Sequence, residues 1–405
     1  MSSPISSPRS IADRLSDTPA VQRIILEAAQ AARQTGTSTS AMTHAWVFTG
    51  PPGSGRSVAA LCLAAALVCE ASDLEHLGTS EAAHKVFHDS HTDVVHVVPE
   101  ELSIGVDRVR GIIRDAAKMP TVAPWRVLIM EDADRLTESA ANTLLKTVEE
   151  PPERTVIILC APSIDPEDFS VTLRSRCRHV YVPTPSRAEI TRILVEEEGA
   201  SHADAELAAA ASARHIGRAR RLVRSPEAQQ RRAQILGLAE LINHGDQAFR
   251  TVTAIVKAVQ KETEESYAQA NAEEIQKLKD ALGMGAKGKG AHKALRGATG
   301  QIRDLEKQHK KQHTRRVRDV LDLALFDLAG LYRDALMLKT GANVELTHPD
   351  FEGLAREIAE GTDASRIVAC VDAVRTCREQ LGQNVTPAVA MDAMVGRIRI
   401  ASGVR

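Results

Sequence analysis

Two segments of the chain have residue types and spacing suited to holding and cleaving a phosphate anhydride. The first is Gly50-Pro51-Pro52-Gly53-Ser54-Gly55-Arg56-Ser57, which follows Trp46-Val47-Phe48-Thr49 and leads into an apolar run from Ser57 to Cys69. The glycines let backbone wrap an anion, and a helix beginning there would aim its first N–H groups at it. The spacing is that of a Walker A loop with one substitution, because Arg56 stands where a lysine normally reaches the β- and γ-phosphates. Arginine keeps the charge, but its planar head cannot take the place of an ammonium. Ser57 is placed to bind Mg²⁺. ATP with Mg²⁺ is therefore expected to bind weakly or not at all, with poor hydrolysis.

The second segment is the apolar Val127-Leu128-Ile129-Met130 followed by Glu131-Asp132-Ala133-Asp134. A hydrolytic site of this kind orders its carboxylates Asp then Glu, the first holding the metal's water shell and the second polarising the attacking water. Here the order is Glu131 then Asp132, so each side chain has the wrong length for its task. Small misplacements of the attacking water cost large rate factors. A third group, Thr172-Leu173-Arg174-Ser175-Arg176-Cys177, sets two arginines beside a cysteine. That pattern suits one tethered arginine and one projecting arginine, which at a subunit edge can complete a neighbour's phosphate site. An ordinary basic surface turn would read the same way.

These residues need elements to position them. Ile11, Leu15, Val21, Ile24, Ile25 and Ala28 fit one or two short helices with Pro19 at the break. Strands are expected at Trp46–Thr49, Val94–Val98, Arg126–Met130, Thr155–Cys160 and Val180–Val182, with helices at Val106–Ala117 and Leu136–Glu149. Short apolar strands alternating with amphipathic helices predict an α/β fold with a parallel sheet covered on both faces. Pro183-Thr184-Pro185 reads as a hinge, and Ser186 to about Ser225 as a small helical unit. From Pro226 onward the pattern is helical, interrupted by a Gly/Ala/Lys-rich stretch, Ala281–Gly300, expected to be a flexible loop between two long helices. The domains are thus expected at 1–183, 184–225 and 226–405.

GPPGSGRS, EDADRLTESAANTLLKTVEEPP and TLRSRC together resemble the clamp-loader branch of AAA+ proteins, and Leu136–Pro152 with Ser175-Arg176-Cys177 is specific to that branch. The altered loop and swapped carboxylates resemble its delta-prime type rather than its tau/gamma motor type. The resemblance covers roughly Arg14–Leu222 well. It implies a RecA-like core, a helical lid and a helical collar that joins a five-membered ring. The function implied is that of a stator within DNA polymerase III, which reaches nucleotidyl transfer only through the complex. Implied partners are tau/gamma and delta subunits, the sliding clamp and, through the complex, primed DNA; the implied location is the cytoplasm, at the nucleoid. On the same grounds Arg176 would be a finger reaching a neighbouring motor subunit, and Gly50, Gly53, Gly55, Arg56, Ser57, Glu131, Asp132 and Arg220 would form the nucleotide site. Arg220 lies in the lid segment His215-Ile216-Gly217-Arg218-Ala219-Arg220. The sensor threonine or asparagine of active relatives is Ala161 or Pro162 here, a third departure. Members of the family also carry a four-cysteine zinc module after the Walker A helix. This chain has only Cys69 there, with His76, His84, His88 and His91, so zinc is not expected.

Composition bounds the alternatives. With 51 basic and 53 acidic side chains the net charge is −2, so nucleic-acid contact would have to come from local basic patches. Aromatics make up 3%, which leaves few platforms for stacking single-stranded bases. The first ten residues hold no apolar segment, and the longest apolar run is too short to span a bilayer, so neither a signal peptide nor a membrane span is expected. The six cysteines form no C-x-x-C pair and read as free thiols. Two other functions compete with the stator. An active motor ATPase would need lysine at 56 and Asp-Glu at 131–132. A nucleic-acid binder outside replication would use the basic stretch Lys287–Arg318, which otherwise reads as part of a solvated helix pair.

Overall fold

The protein was described from a computed structural model, which defines residues 10–33, 41–69, 78–99, 103–166, 168–282, 291–383 and 385–404, without side-chain detail for 291–298. Two compact units divide the chain, Met1–Val223 and Arg224–Arg405.

In the first unit, α1 (Ile11–Arg14) and α2 (Pro19–Arg33) precede β1 (Ala45–Thr49) and α3 (Arg56–Val68). Then come α4 (Glu81–Phe87), β2 (Val94–Val97), α5 (Val106–Ala116), β3 (Arg126–Met130), α6 (Glu138–Glu149), β4 (Thr155–Ala161), α7 (Val171–Arg174) and β5 (Arg178–Tyr181). The five strands run parallel in the order β2-β3-β4-β1-β5. Parallel sheets are apolar on both faces, and the strands divide their side chains accordingly. Trp46, Phe48, Val127, Ile129, Val156, Ile158 and Cys160 pack beneath α2, α3 and α4. Ala45, Val47, Leu128, Met130, Ile157 and Leu159 pack beneath α5 and α6. Pro19 marks the break between α1 and α2 as expected, and it opens α2 because its ring is pre-set for a first helical position. The last strand begins two residues and ends one residue earlier than Val180–Val182 predicts: Trp46–Thr49 pair with Arg178–Tyr181, whose polar residues belong to the sheet edge.

Asp93, at the start of β2, accepts four hydrogen bonds from the turn before β3: from Thr121 N and Oγ1, Val122 N and Ala123 N, at 2.8–3.0 Å. Burial alone would raise this carboxyl, but those donors outweigh it and hold it down at about 2.

The helical stretch after Pro185 forms α8 (Arg187–Glu198), α9 (His202–Ala211) and α10 (Ile216–Arg224). They enclose a small core of their own around Ile190, Leu194, Ala205, Ala209, Ala219 and Leu222. The second unit contains α11 (Pro226–Leu241), α12 (Gln247–Ala281), α13 (Ala291–Thr340), α14 (Glu352–Gly361), α15 (Ala364–Gly382) and α16 (Pro387–Ala401). Its core is built from apolar residues of all six helices, among them Leu236, Val256, Leu325, Ala355, Val374 and Met391. Within it, Arg232 donates to both carboxylate oxygens of Asp350 and to His348 Nδ1, pinning the segment before α14.

The Gly/Ala/Lys-rich stretch Ala281–Gly300 is not loop throughout. Helix α13 already begins at Ala291, since the Ala, Lys, Leu and Arg of 291–296 are strong helix formers that outweigh Gly297 and Gly300. The middle of the stretch, 283–290, lies outside the described residues.

Candidate functional site

The glycine loop joins β1, a central strand, to the first turn of α3. Gly53 and Gly55 have φ of 85° and 89°, a left-handed backbone that side chains strain. Gly50 is required for space instead: a Cβ there would lie 2.2 Å from the Val182 carbonyl oxygen. Ser54 Oγ is buried with no hydrogen-bond partner, so the loop presents an unsatisfied polar atom. Ser57 stands in the first turn of α3. Backbone and hydroxyl thus fit a phosphate.

The charged side chains do not complete that fit for hydrolysis. Arg56 turns back on its own loop, and its Nη1 donates to Gly50 O at 2.7 Å. Glu131, buried at the end of β3, is engaged by His96 of β2, whose Nε2 lies 3.2 Å from Oε1; the other ring nitrogen meets Asp89 Oδ1 at 2.7 Å. Burial would lower the His96 imidazole, but its two carboxylate partners prevail and raise it. Asp132 adopts a left-handed φ of 48° and lies 3.4 Å from Arg135 Nη2. Asp134, two residues on, is raised by burial and by the Asp132 charge. The sensor position at the end of β4 is Ala161, followed by Pro162, whose carbonyl accepts from Gly50 N at 3.3 Å.

Arg176 is at the surface. Its Nε donates to Glu149, the last residue of α6, at 2.5 Å, and its Nη1 to Thr172 O and Ser175 Oγ, each at 3.1 Å. Nη2 makes no hydrogen bond to the described residues. Arg174 donates to Ile164 O at 3.4 Å. Cys177 is half-buried, and burial pushes its thiol up to about 12. All six cysteines are free.

Arg220 lies on α10. It is held by Glu197 and Glu198 of α8. The lid residue that meets the loop is His215, which sequence reasoning did not single out: a Cβ on Gly53 would fall 2.4 Å from His215 Cγ. His215 Nδ1 accepts from Arg218 N at 3.2 Å, so this ring caps the start of α10. Burial, then the neighbouring Arg218, lowers its imidazole. The available signal was weak, a histidine just before a basic helix start.

In the segment after α3, Cys69 Sγ meets Ser80 Oγ at 3.1 Å, and His84 stacks on His88 with ring centroids 4.0 Å apart. His76 lies outside the described residues. Among the described residues no three His, Cys, Asp or Glu side chains gather as a metal cluster. No described helix is long and apolar enough to cross a membrane.

A parallel sheet of order β2-β3-β4-β1-β5, a glycine loop between β1 and α3, and a helical domain after it define a AAA+-type P-loop protein. Residues 26–186 match the family model described as DNA polymerase III, delta subunit. The chain is 28% identical over 203 residues to the DNA polymerase III subunit delta' of Bacillus subtilis, covering 50% of this chain and 60% of that one. It is 32% identical over 208 residues to the delta' subunit of Escherichia coli, covering 50% and 61%. It is also 25% identical over 373 residues to the B. subtilis subunit tau, covering 88% and 57%. The first unit is thus similar to the delta-prime type of DNA polymerase III subunit, a resemblance that covers about half of the chain. The chain spans between 57% and 61% of the length of these relatives.

Proposed function

We propose that this chain is a stator subunit of a DNA polymerase III clamp loader, which lends Arg176 to the nucleotide site of a neighbouring motor subunit and hydrolyses little ATP itself. One contrast carries the reading. The chain's own site is closed on itself, with Arg56 on Gly50 O and Glu131 on His96, whereas Arg176 stands at the surface with Nη2 uncommitted among the described residues. Gly50, Gly53, Gly55, Ser54 and Ser57 would hold the phosphates of ATP, and bound Mg²⁺ would screen their charge. The swapped Glu131-Asp132 pair leaves no carboxylate of the right length to orient a water.

A guanidinium stabilises charge that builds on a transferring phosphoryl group, and it needs a fixed direction to do so. Glu149, Thr172 O and Ser175 Oγ supply that direction. The Glu149 pair is half-exposed, so it is worth under about 1 kcal/mol and does not prevent Arg176 from engaging a phosphate. Helices α11–α16 would form the collar that meets tau/gamma-type and delta-type subunits, and the assembled ring would act on the sliding clamp and primed DNA in the cytoplasm. A motor role fits less well, because it requires Arg56 and Glu131 to leave their present partners.

The reading is tested by mixing the purified chain with tau/gamma-type and delta-type subunits of the same organism. A stable complex on size exclusion, with negligible ATPase from the chain alone, is the expected result. Vigorous hydrolysis by the isolated chain would favour the motor.

A further inference from the structure

Helices α12 and α13 run far beyond the core of the second unit. The buried apolar residues of α12 end at Val259, and those of α13 are dense only from Val317 onward. Residues 264–281 therefore extend roughly 27 Å past the core at about 1.5 Å per residue. The partnering stretch of α13 is antiparallel: His309 Nε2 meets Glu274 Oε2 at 2.9 Å, and Arg316 stacks on the Tyr267 ring at 3.5 Å. The two helices of this arm sort their charge. Residues 264–281 carry five acidic and two basic side chains, whereas 303–318 carry seven basic and two acidic.

On α13, Arg303, Lys307 and Lys310 are exposed at i, i+4 and i+7, one above the next on a single face. Arg303 and Lys310 have no partner among the described residues, and Lys307 has only Asp304 at 3.6 Å. These side chains do not serve the pairing of the two helices. The arm also lacks the apolar centre a protein interface requires. Among its described residues the one large apolar side chain exposed is Tyr267, and Arg316 covers it.

We propose that this face of α13 is a binding surface for the phosphodiester backbone of double-stranded nucleic acid, without sequence preference. The three charges span about 10 Å along the helix, the axial length of roughly three phosphates on one strand. A duplex is favoured over a single strand because the arm offers no free aromatic face on which bases could stack. This surface lies outside the altered nucleotide site and Arg176, and it does not depend on their roles.

The test uses the full chain and a labelled 30-base-pair duplex of mixed sequence, followed by fluorescence anisotropy from 50 to 200 mM salt. Wild type should bind the duplex more tightly than a single strand of equal length. Arg303→Ala/Lys307→Ala/Lys310→Ala should bind more weakly, with a salt slope shallower by about 2.7. Lys310→Glu alone should flatten the slope by about 1, which keeps the test open if the triple variant folds poorly by circular dichroism. Lys277→Ala/Lys279→Ala, on the acidic helix, should leave binding unchanged. Equal affinity and slope for wild type and the α13 variants would overturn the proposal. So would displacement of the duplex by polyglutamate at lower concentration than by unlabelled duplex, which would mark the face as a site for an acidic protein.

Discussion

Arg56 differs from lysine by a few atoms, and the difference has a visible geometric result. Its fork reaches Gly50 O, so the positive charge meant for a phosphate is spent on the loop's own carbonyl. Arg56→Lys frees that carbonyl and restores a compact ammonium. The variant should bind a fluorescent ATP analogue at least about tenfold more tightly. Hydrolysis by the isolated variant should stay low, because Glu131 and Asp132 remain out of order. Steady-state release of phosphate separates these two outcomes. His96 gives a second check. Its imidazole is raised in the fold through Glu131 and Asp89, so its stabilisation is fully present below the ordinary value near 6.5 and is lost as pH rises through the raised value. The loss of melting temperature in His96→Gln should therefore be largest near pH 6 and shrink toward pH 9. A gap that widens with pH would contradict the His96–Glu131 clasp. At this scale the sequence was informative where spacing fixes position, as along Gly50–Ser57. It did not point to His215, because which lid residue meets the loop depends on how α8 and α10 pack.

At the scale of elements, the β-α alternation was legible because parallel strands are short, continuous apolar runs, and Arg126–Met130 is one bounded by charge and turns. The edge strand Arg178–Tyr181 was shifted in the reading, since an edge tolerates polar residues that hide its register. Likewise, α4 and the start of α13 were hidden, by histidines in one and glycines in the other, which weaken a helical signal that local propensity still carries. Asp93 was invisible as a structural residue, yet it holds the turn before β3 through four hydrogen bonds. Asp93→Ala leaves those donors without a buried acceptor and should destabilise the protein by on the order of 3 kcal/mol, read from denaturant midpoints at pH 7. Because the folded carboxyl sits at about 2, below its ordinary value, the wild-type advantage is present above about pH 4 and fades as pH falls toward 2. An undiminished advantage at pH 2 would show that the carboxylate charge is not what these donors hold.

Across the whole molecule, each unit has its own core, and the residues with recognisable chemistry all lie in the first. The second unit could be read only as amphipathic helix, because helices that bury against themselves and helices that bury against a partner show the same period. The account therefore rests on Arg176 of the first unit, an exposed arginine whose direction Glu149, Thr172 and Ser175 fix. The most direct measurement is the ATPase rate of the reconstituted clamp loader, with sliding clamp and primed DNA, comparing wild type with Arg176→Ala. The substitution removes a half-exposed side chain, so assembly on size exclusion should be unchanged. If Arg176 acts in a neighbour's site, hydrolysis by the complex should fall by at least about 10³ at the site it serves, with the total rate lowered by that site's share. An unchanged rate in a complex that assembles normally would contradict the stator account and return attention to the chain's own altered loop.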